Sequence, residues 1–304
     1  MPASPSPQSL GLPLAPLPGR PRVGTRTLAL FLALIIALAS AGPAQAASGE
    51  GADPTAPTLA VSILKRLPHD PSAFTQGLIF HQGQLIESTG LYGQSSLRRV
   101  DPETGRVLAL ARLAPRLFGE GLALVPARPG AAPRLVQLTW REGLVLTYDP
   151  GSLRHLTSLR LRGELWGLTW DGKRLILSDG SDTLRLLEPL ALAKTGRLAV
   201  REGQTPLGEL NELEWVEGWL LANVLGQDRI AVIRPPGSKD AGQVAAWLDL
   251  SPLRRELAPS SEVANGIAYD PHARALYVTG KRWDRVFVLA LPELLQHPPG
   301  KSPR

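Results

Sequence analysis

Five short stretches recur along this chain at a spacing that leaves few folds open to it. Phe74-Thr75-Gln76-Gly77-Leu78, Phe118-Gly119-Glu120-Gly121-Leu122, Leu165-Trp166-Gly167-Leu168, Leu210-Asn211-Glu212-Leu213 and Ala264-Asn265-Gly266-Ile267 align on their final apolar residue, at positions 78, 122, 168, 213 and 267. The intervals are 44, 46, 45 and 54 residues. One supersecondary unit repeated every ~40–50 residues is the period of a propeller blade. Two residues before each anchor stand Gln76, Glu120, Trp166, Asn211 and Asn265, none of them aliphatic. Equivalent positions on the innermost strands of a radial fold converge near its axis, so these five form a ring in which only Glu120 is charged at neutral pH.

Each anchor opens a series of short runs rich in Leu, Val and Ile, separated by Asp-Gly, Asp-Pro and Pro-Gly turns, which are strand and hairpin signals. The runs predict strands at 74–80, 85–88, 96–100 and 106–113 in the first unit, and at 122–125, 135–140, 144–148 and 155–161 in the second. The third has 168–170, 175–178, 183–187 and 197–201; the fourth has 213–216, 220–223, 229–233 and 244–250. The fifth has only 267–269, 276–279 and 285–289 before the chain ends in His297-Pro298-Pro299 and polar residues. Residues 59–67 supply the missing strand. An N-terminal strand in the last blade closes the ring and removes two exposed sheet edges. The expectation is an all-β, five-bladed β-propeller over residues 57–291, followed by a disordered tail at 292–304; an incomplete six-bladed ring is the competing architecture. One short helix is expected at 252–257.

Ahead of the repeats, Arg20, Arg22 and Arg26 precede an apolar run of 14 residues at 28–41, and Ala44-Gln45-Ala46 follows. A basic region, a short apolar core and a small-x-small site predict a signal peptide over 1–46, cleaved after Ala46. The run is shorter than the ~20 residues of a spanning helix. Residues 47–56 predict a flexible linker. The expected location is periplasmic or secreted, with no membrane attachment once the signal is removed. Formal charge is +6, but three of the 33 basic residues lie in the first 46, leaving 30 against 27 acids. That balance, without a basic cluster interleaved with aromatics, does not point to nucleic acid. The chain has no cysteine, which excludes thiol nucleophiles and disulfides.

Glu120 is the first candidate for chemistry. A Glu between glycines also reads as a turn carboxylate, but Phe118, Trp140 and Trp166 are placed to surround this one with apolar area. A desolvated carboxyl has a raised pKa and exchanges protons near neutrality. Gln76, Asn211 and Asn265 are neutral hydrogen-bonding groups, suited to a substrate or to inner-strand backbone. Lys281 follows the fifth unit's second strand, at the rim where Trp140 follows the second unit's. Asp179, in Ser178-Asp179-Gly180, reads as a turn residue. The five histidines, at 69, 81, 155, 272 and 297, show no ligand spacing, so neither a metal nor any other cofactor is expected in the reaction. A structural calcium in the channel stays open.

Taken in series, FTQGL, FGEGL, LVQLTW, LWGLT with DGK, LILSDG, LNELEW, NGIAYD and VTGKRW span residues 74–283. This series resembles the plant and bacterial type of glutaminyl-peptide cyclotransferase. The resemblance implies a five-bladed propeller and an aminoacyltransferase that cyclises N-terminal glutamine of peptides or proteins to pyroglutamate, releasing ammonia. It implies Glu120 as the general acid/base, with Phe74, Gln76, Phe118, Trp140, Trp166, Asn211 and Lys281 in the pocket. Leu225 stands where that family usually carries a pocket tryptophan. A non-catalytic periplasmic propeller that binds peptides is the alternative. A monomer is expected.

Overall fold

Alternating short apolar runs and turn residues fold here as successive antiparallel hairpins. The computed structural model describes residues 56–127 and 132–299. Blade one is β3 (Thr75–His81), β4 (Gln84–Thr89), β5 (Ser96–Val100) and β6 (Val107–Arg112). Blade two is β7 (Gly119–Val125), β8 (Arg134–Thr139), β9 (Leu144–Tyr148) and β10 (His155–Arg160). Blade three is β11 (Leu168–Trp170), β12 (Leu175–Leu177), β13 (Thr183–Leu187) and β14 (Lys194–Ala199), with a small hairpin, β15 (Arg201–Glu202) and β16 (Thr205–Pro206), beyond it. Blade four is β17 (Leu210–Val216), β18 (Trp219–Val224), β19 (Arg229–Ile233) and β20 (Val244–Asp249); blade five contributes β21 (Ala264–Asp270), β22 (Ala275–Gly280) and β23 (Arg285–Ala290). The inner strands β3, β7, β11, β17 and β21 touch in a closed cycle, so the architecture is a five-bladed β-propeller.

The N-terminal segment divides where the sequence predicted one strand. β2 (Ile63–Pro68) pairs antiparallel with β23 and completes blade five. β1 (Thr58–Ala60) instead adds to blade four, parallel to β20. Val61-Ser62 carries the chain from one outer edge to the next, and the Ser62 carbonyl accepts from the Ala290 amide. The N-terminal segment thereby extends two blades, four and five, where the sequence predicted one. The tail expected to be disordered from 292 begins in order: Glu293–Gln296 forms a 3-10 turn, Leu295 is fully buried, and the Trp219 indole donates to the His297 carbonyl at 2.8 Å. The expected helix is a single turn, α1 (Ser251–Arg254). The predicted signal peptide, and the linker apart from Ala56, lie outside the described residues, as do 300–304.

The apolar interior is divided into five clusters, each lying between neighbouring blades. Each fully buried Leu, Ile or Val in them is worth about 1.5–3 kcal/mol of transfer free energy. The seam between blades five and one, where the ring closes, also holds a buried polar network. There Glu87 accepts from Thr75 at 2.6 Å and from Arg98 at 2.7 Å, and it meets His69 at 3.1 Å. Burial works to raise the Glu87 pKa, but Arg98 and His69 outweigh it and hold this carboxyl well below the usual range.

Near the axis the strands approach too closely for side chains. A Cβ on Gly121 would fall 2.5 Å from the Trp166 carbonyl oxygen, and one on Gly167 would overlap the Asn211 carbonyl. The aligned position is Gly77 in blade one and Gly266 in blade five, but Glu212 in blade four. Its buried carboxylate accepts the Ile267 amide at 3.0 Å and the Leu78 amide at 3.4 Å, joining blades four, five and one. Glu212→Ala leaves two buried amides without an acceptor. It should lower the unfolding free energy by about 2–4 kcal/mol, read by chemical denaturation; a loss below about 0.5 kcal/mol would show that the carboxylate does not join the blades.

Candidate active site

Every blade is irregular at its axial residue. In β3 the pairing passes from Thr75↔Thr89 to Gly77↔Ser88, which leaves Gln76 over. The same one-residue excess falls at Glu120-Gly121 in β7, Asn211-Glu212 in β17 and Asn265-Gly266 in β21. Blade three reaches it just before β11, where the Trp166 amide donates to the Ser178 carbonyl and the Ser178 amide to the Gly167 carbonyl. A bulge turns its extra residue out of the alternating pleat and re-aims the side chain. Backbone links between blades hold the bulges. Ser88 Oγ donates to the Glu120 carbonyl, Gly121 N donates to the Trp166 carbonyl at 2.7 Å, and Ser178 Oγ donates to the Asn211 carbonyl at 2.6 Å. The Gly266 amide donates to Asn223 Oδ1 at 2.9 Å, and Asn265 Nδ2 donates to the Thr75 carbonyl at 3.0 Å.

These links bring Asn265, Gln76 and Glu120 into one chain of hydrogen bonds. Asn265 Nδ2 donates to Gln76 Oε1 at 2.8 Å, which fixes the amide so that Gln76 Nε2 donates to Glu120 Oε1, also at 2.8 Å. All three side chains are buried. Burial pushes the Glu120 carboxyl well above the ordinary carboxylate range; Lys281 and Gln76 oppose the shift, while the charges of Glu164 and Glu142 add to it. Lys281 is buried too, with its ammonium 4.8 Å from the Phe74 ring centroid. Burial lowers its pKa, against the pull of Glu120 and Glu262. A carboxyl raised and an ammonium lowered, coupled through their charges, are both shifted in the direction that favours proton exchange with a bound molecule.

Phe118 is the centre of an aromatic wall beside this pair. Its ring lies 6.1 Å from Phe74, 5.4 Å from Tyr92 and 5.5 Å from Trp140, each inclined edge to face or tilted. Trp140 and Trp166 both donate their indole N–H to Glu164 Oε2, at 2.8 and 3.2 Å. Glu142 accepts from the Tyr92 hydroxyl at 2.9 Å and from the Phe118 amide at 3.4 Å.

Of the residues singled out from the sequence, Glu120, Gln76, Lys281, Phe74, Phe118, Trp140 and Trp166 are thus linked through direct contacts or shared partners. Asn211 is buried and held by its own carbonyl; its Oδ1 has no hydrogen-bond partner among the described residues. Leu225 is half-buried just beyond β18, its amide bonded to the Glu209 carbonyl at 2.9 Å. Asp179 bonds Ser181 and pairs with Arg185 at 3.6 Å, as a turn residue does. Tyr92, Glu142 and Glu164 escaped the sequence reading, because a lone acid or tyrosine in a loop carries no periodic signal. Among the described residues no group of three or more His, Asp or Glu side chains is placed to hold a metal ion.

Gly90, just after β4, leaves room for the wall: a Cβ there would overlap the Phe118 ring. Gly90→Ala should displace that ring and destabilise the protein by about 1–3 kcal/mol, with altered aromatic circular dichroism. Unchanged stability and an unchanged aromatic spectrum would show the wall to be loosely seated.

Comparison with known proteins agrees with this geometry. The chain matches the family model described as glutamine cyclotransferase over residues 30–291. It is 39% identical over 242 residues to the glutaminyl-peptide cyclotransferase of Arabidopsis thaliana, covering 77% of this chain and 72% of that protein. The crystal structure of Myxococcus xanthus glutaminyl cyclase superposes with a TM-score of 0.68 at 35% identity, over 77% of this chain and 97% of that one. A five-bladed ring of this topology, one buried axial carboxyl walled by aromatics, and these matches together place the chain in the glutamine cyclotransferase family.

Proposed function

We propose that this protein is a glutaminyl-peptide cyclotransferase that converts the N-terminal glutamine of peptides or proteins to pyroglutamate and releases ammonia. The observation that carries the mechanism is Glu120, the one carboxyl in the axial ring, buried, raised in pKa and bonded to Gln76. In the reaction the substrate's α-amine attacks its own side-chain carboxamide carbon. A C–N bond closes the five-membered ring and the bond to the amide nitrogen breaks. Nucleophile and electrophile are tethered already, so the protein has to fold the side chain back, move protons and exclude water.

Glu120 takes the proton that the amine loses and gives it to the departing nitrogen, which leaves as ammonia. Lys281 opposes the negative charge that develops on the carboxamide oxygen. Asn211 Oδ1, buried without a partner, accepts from a substrate N–H. Gln76 keeps Glu120 oriented, and Asn265 keeps Gln76 oriented. Phe74, Phe118, Trp140 and Trp166 pack the glutamine methylenes and keep the site dry. No step calls for a metal ion. The basic and apolar N-terminus supports export to the periplasm or medium, with cleavage after Ala46, which N-terminal sequencing of the mature protein tests.

The purified protein, incubated with a peptide that begins with glutamine, should release ammonia and leave a pyroglutamyl peptide, with or without EDTA. Glu120→Gln keeps shape and hydrogen bonding but not the proton, so kcat should fall by at least about 100-fold with the melting temperature preserved. Failure of the wild type to release ammonia while binding the peptide favours a non-catalytic binder. Retained turnover in Glu120→Gln removes the mechanism.

A further inference from the structure

Glu164 lies in the loop between β10 and β11, two residues before Trp166. Its position looks like that of a solvated surface acid, and its side chain is 40% exposed. Its bonds are different in kind. One oxygen, Oε2, accepts both pocket indoles, which come from different blades: Trp140 from the end of β8 and Trp166 from the start of blade three. The other oxygen takes Arg141 Nε at 3.0 Å, and the Arg141 guanidinium lies 3.9 Å from the Trp140 ring centroid. Burial works to raise the Glu164 pKa, but the two indoles and Arg141 outweigh it and hold the carboxyl below its usual range. It stays ionised, and therefore a strong acceptor, throughout the neutral range.

An indole has a single donor, and both indoles here spend theirs on Glu164. The far edge of Trp166 is confined as well, since a Cβ on Gly180 would lie 2.7 Å from its ring. Trp166 is thus gripped between Gly180 and Glu164, and Trp140 between Phe118, Arg141 and Glu164. We propose that Glu164 is a positioning residue: a single carboxylate oxygen that sets the two tryptophan walls at the separation a glutamine side chain needs, and so determines how tightly the substrate is held. The proposal rests on the function read above, because it assigns those walls to the glutamine methylenes.

Two substitutions separate the hydrogen bonds from the charge. Glu164→Ala removes the acceptor; Glu164→Gln keeps an oxygen for the indoles and removes the charge. Both are assayed as full-length protein with a glutamine-initiated peptide, reading KM, kcat and the tryptophan bands of the near-ultraviolet circular dichroism. A group that orients binding surfaces without touching the reacting atoms acts on KM. Glu164→Ala should raise KM roughly tenfold, leave kcat within about threefold and weaken the tryptophan bands; Glu164→Gln should stay within about threefold of wild type in KM and keep the bands. Wild-type KM and wild-type bands in Glu164→Ala overturn the proposal. Equal rises in KM for both variants also overturn it, since the charge and not the shared oxygen would then be responsible. If the wild type shows no turnover, the functional reading fails by itself, while the circular dichroism of the two variants still decides whether Glu164 holds the indoles.

Discussion

The close approach of neighbouring inner strands at the axis is the constraint from which the rest of this structure follows. Gly121 and Gly167 let the next blade's backbone come into the space that a side chain would fill. At that separation one blade's backbone or second-strand side chain can bond the backbone of the next blade's bulge, as Ser88, Gly121, Ser178 and Asn223 do. The bulges in turn bring Gln76 to Glu120 and Asn265 to Gln76, although these pairs lie 44 and 189 residues apart in sequence. Blade four departs from the pattern, and its Glu212 replaces close packing with a carboxylate that accepts amides from two other blades.

The chemistry depends on what that geometry keeps dry. A carboxyl in water ionises at its ordinary pKa and has little proton to give at neutral pH. Burial changes this for Glu120, and the charge of Lys281 opposes the change without cancelling it. The charges of Glu142 and Glu164 push the Glu120 pKa in the same direction as burial. The same two acids hold the aromatic wall in place, through Tyr92 and Phe118 on one side and the two indoles on the other. Positioning and proton affinity are therefore linked through shared groups, so substitutions along this rim should act non-additively.

Much of this was legible in the sequence because a propeller repeats. The anchors at 78, 122, 168, 213 and 267 mark the inner strand of each blade, and counting back from them finds the axial residues without any structural knowledge. Phe118, Trp140 and Trp166 were legible as apolar area near Glu120. The bulges were not, since an extra residue in a ladder is a property of the partner strand as much as of the strand itself. The division of residues 58–68 into β1 and β2 was hidden for a related reason: a short apolar run does not say which of two sheet edges it joins. Leu295 anchors a turn in a stretch whose prolines and charges read as a tail, and a single buried leucine has no periodicity to betray it. Glu164 and Glu142 gain their meaning only from the donors that converge on them.

The central claim is that burial holds the Glu120 carboxyl well above the ordinary carboxylate range, so that it can exchange a proton with the substrate. Carbon-13 NMR of the Glu120 side-chain carboxyl, followed through a pH titration and assigned by its loss in Glu120→Gln, measures this directly. The account predicts a transition well above the ordinary carboxylate range, moving higher still when Lys281 is replaced by Met, because the opposing charge is then gone. A carboxyl that titrates within the ordinary range in the wild type, and does not respond to the loss of Lys281, would contradict it.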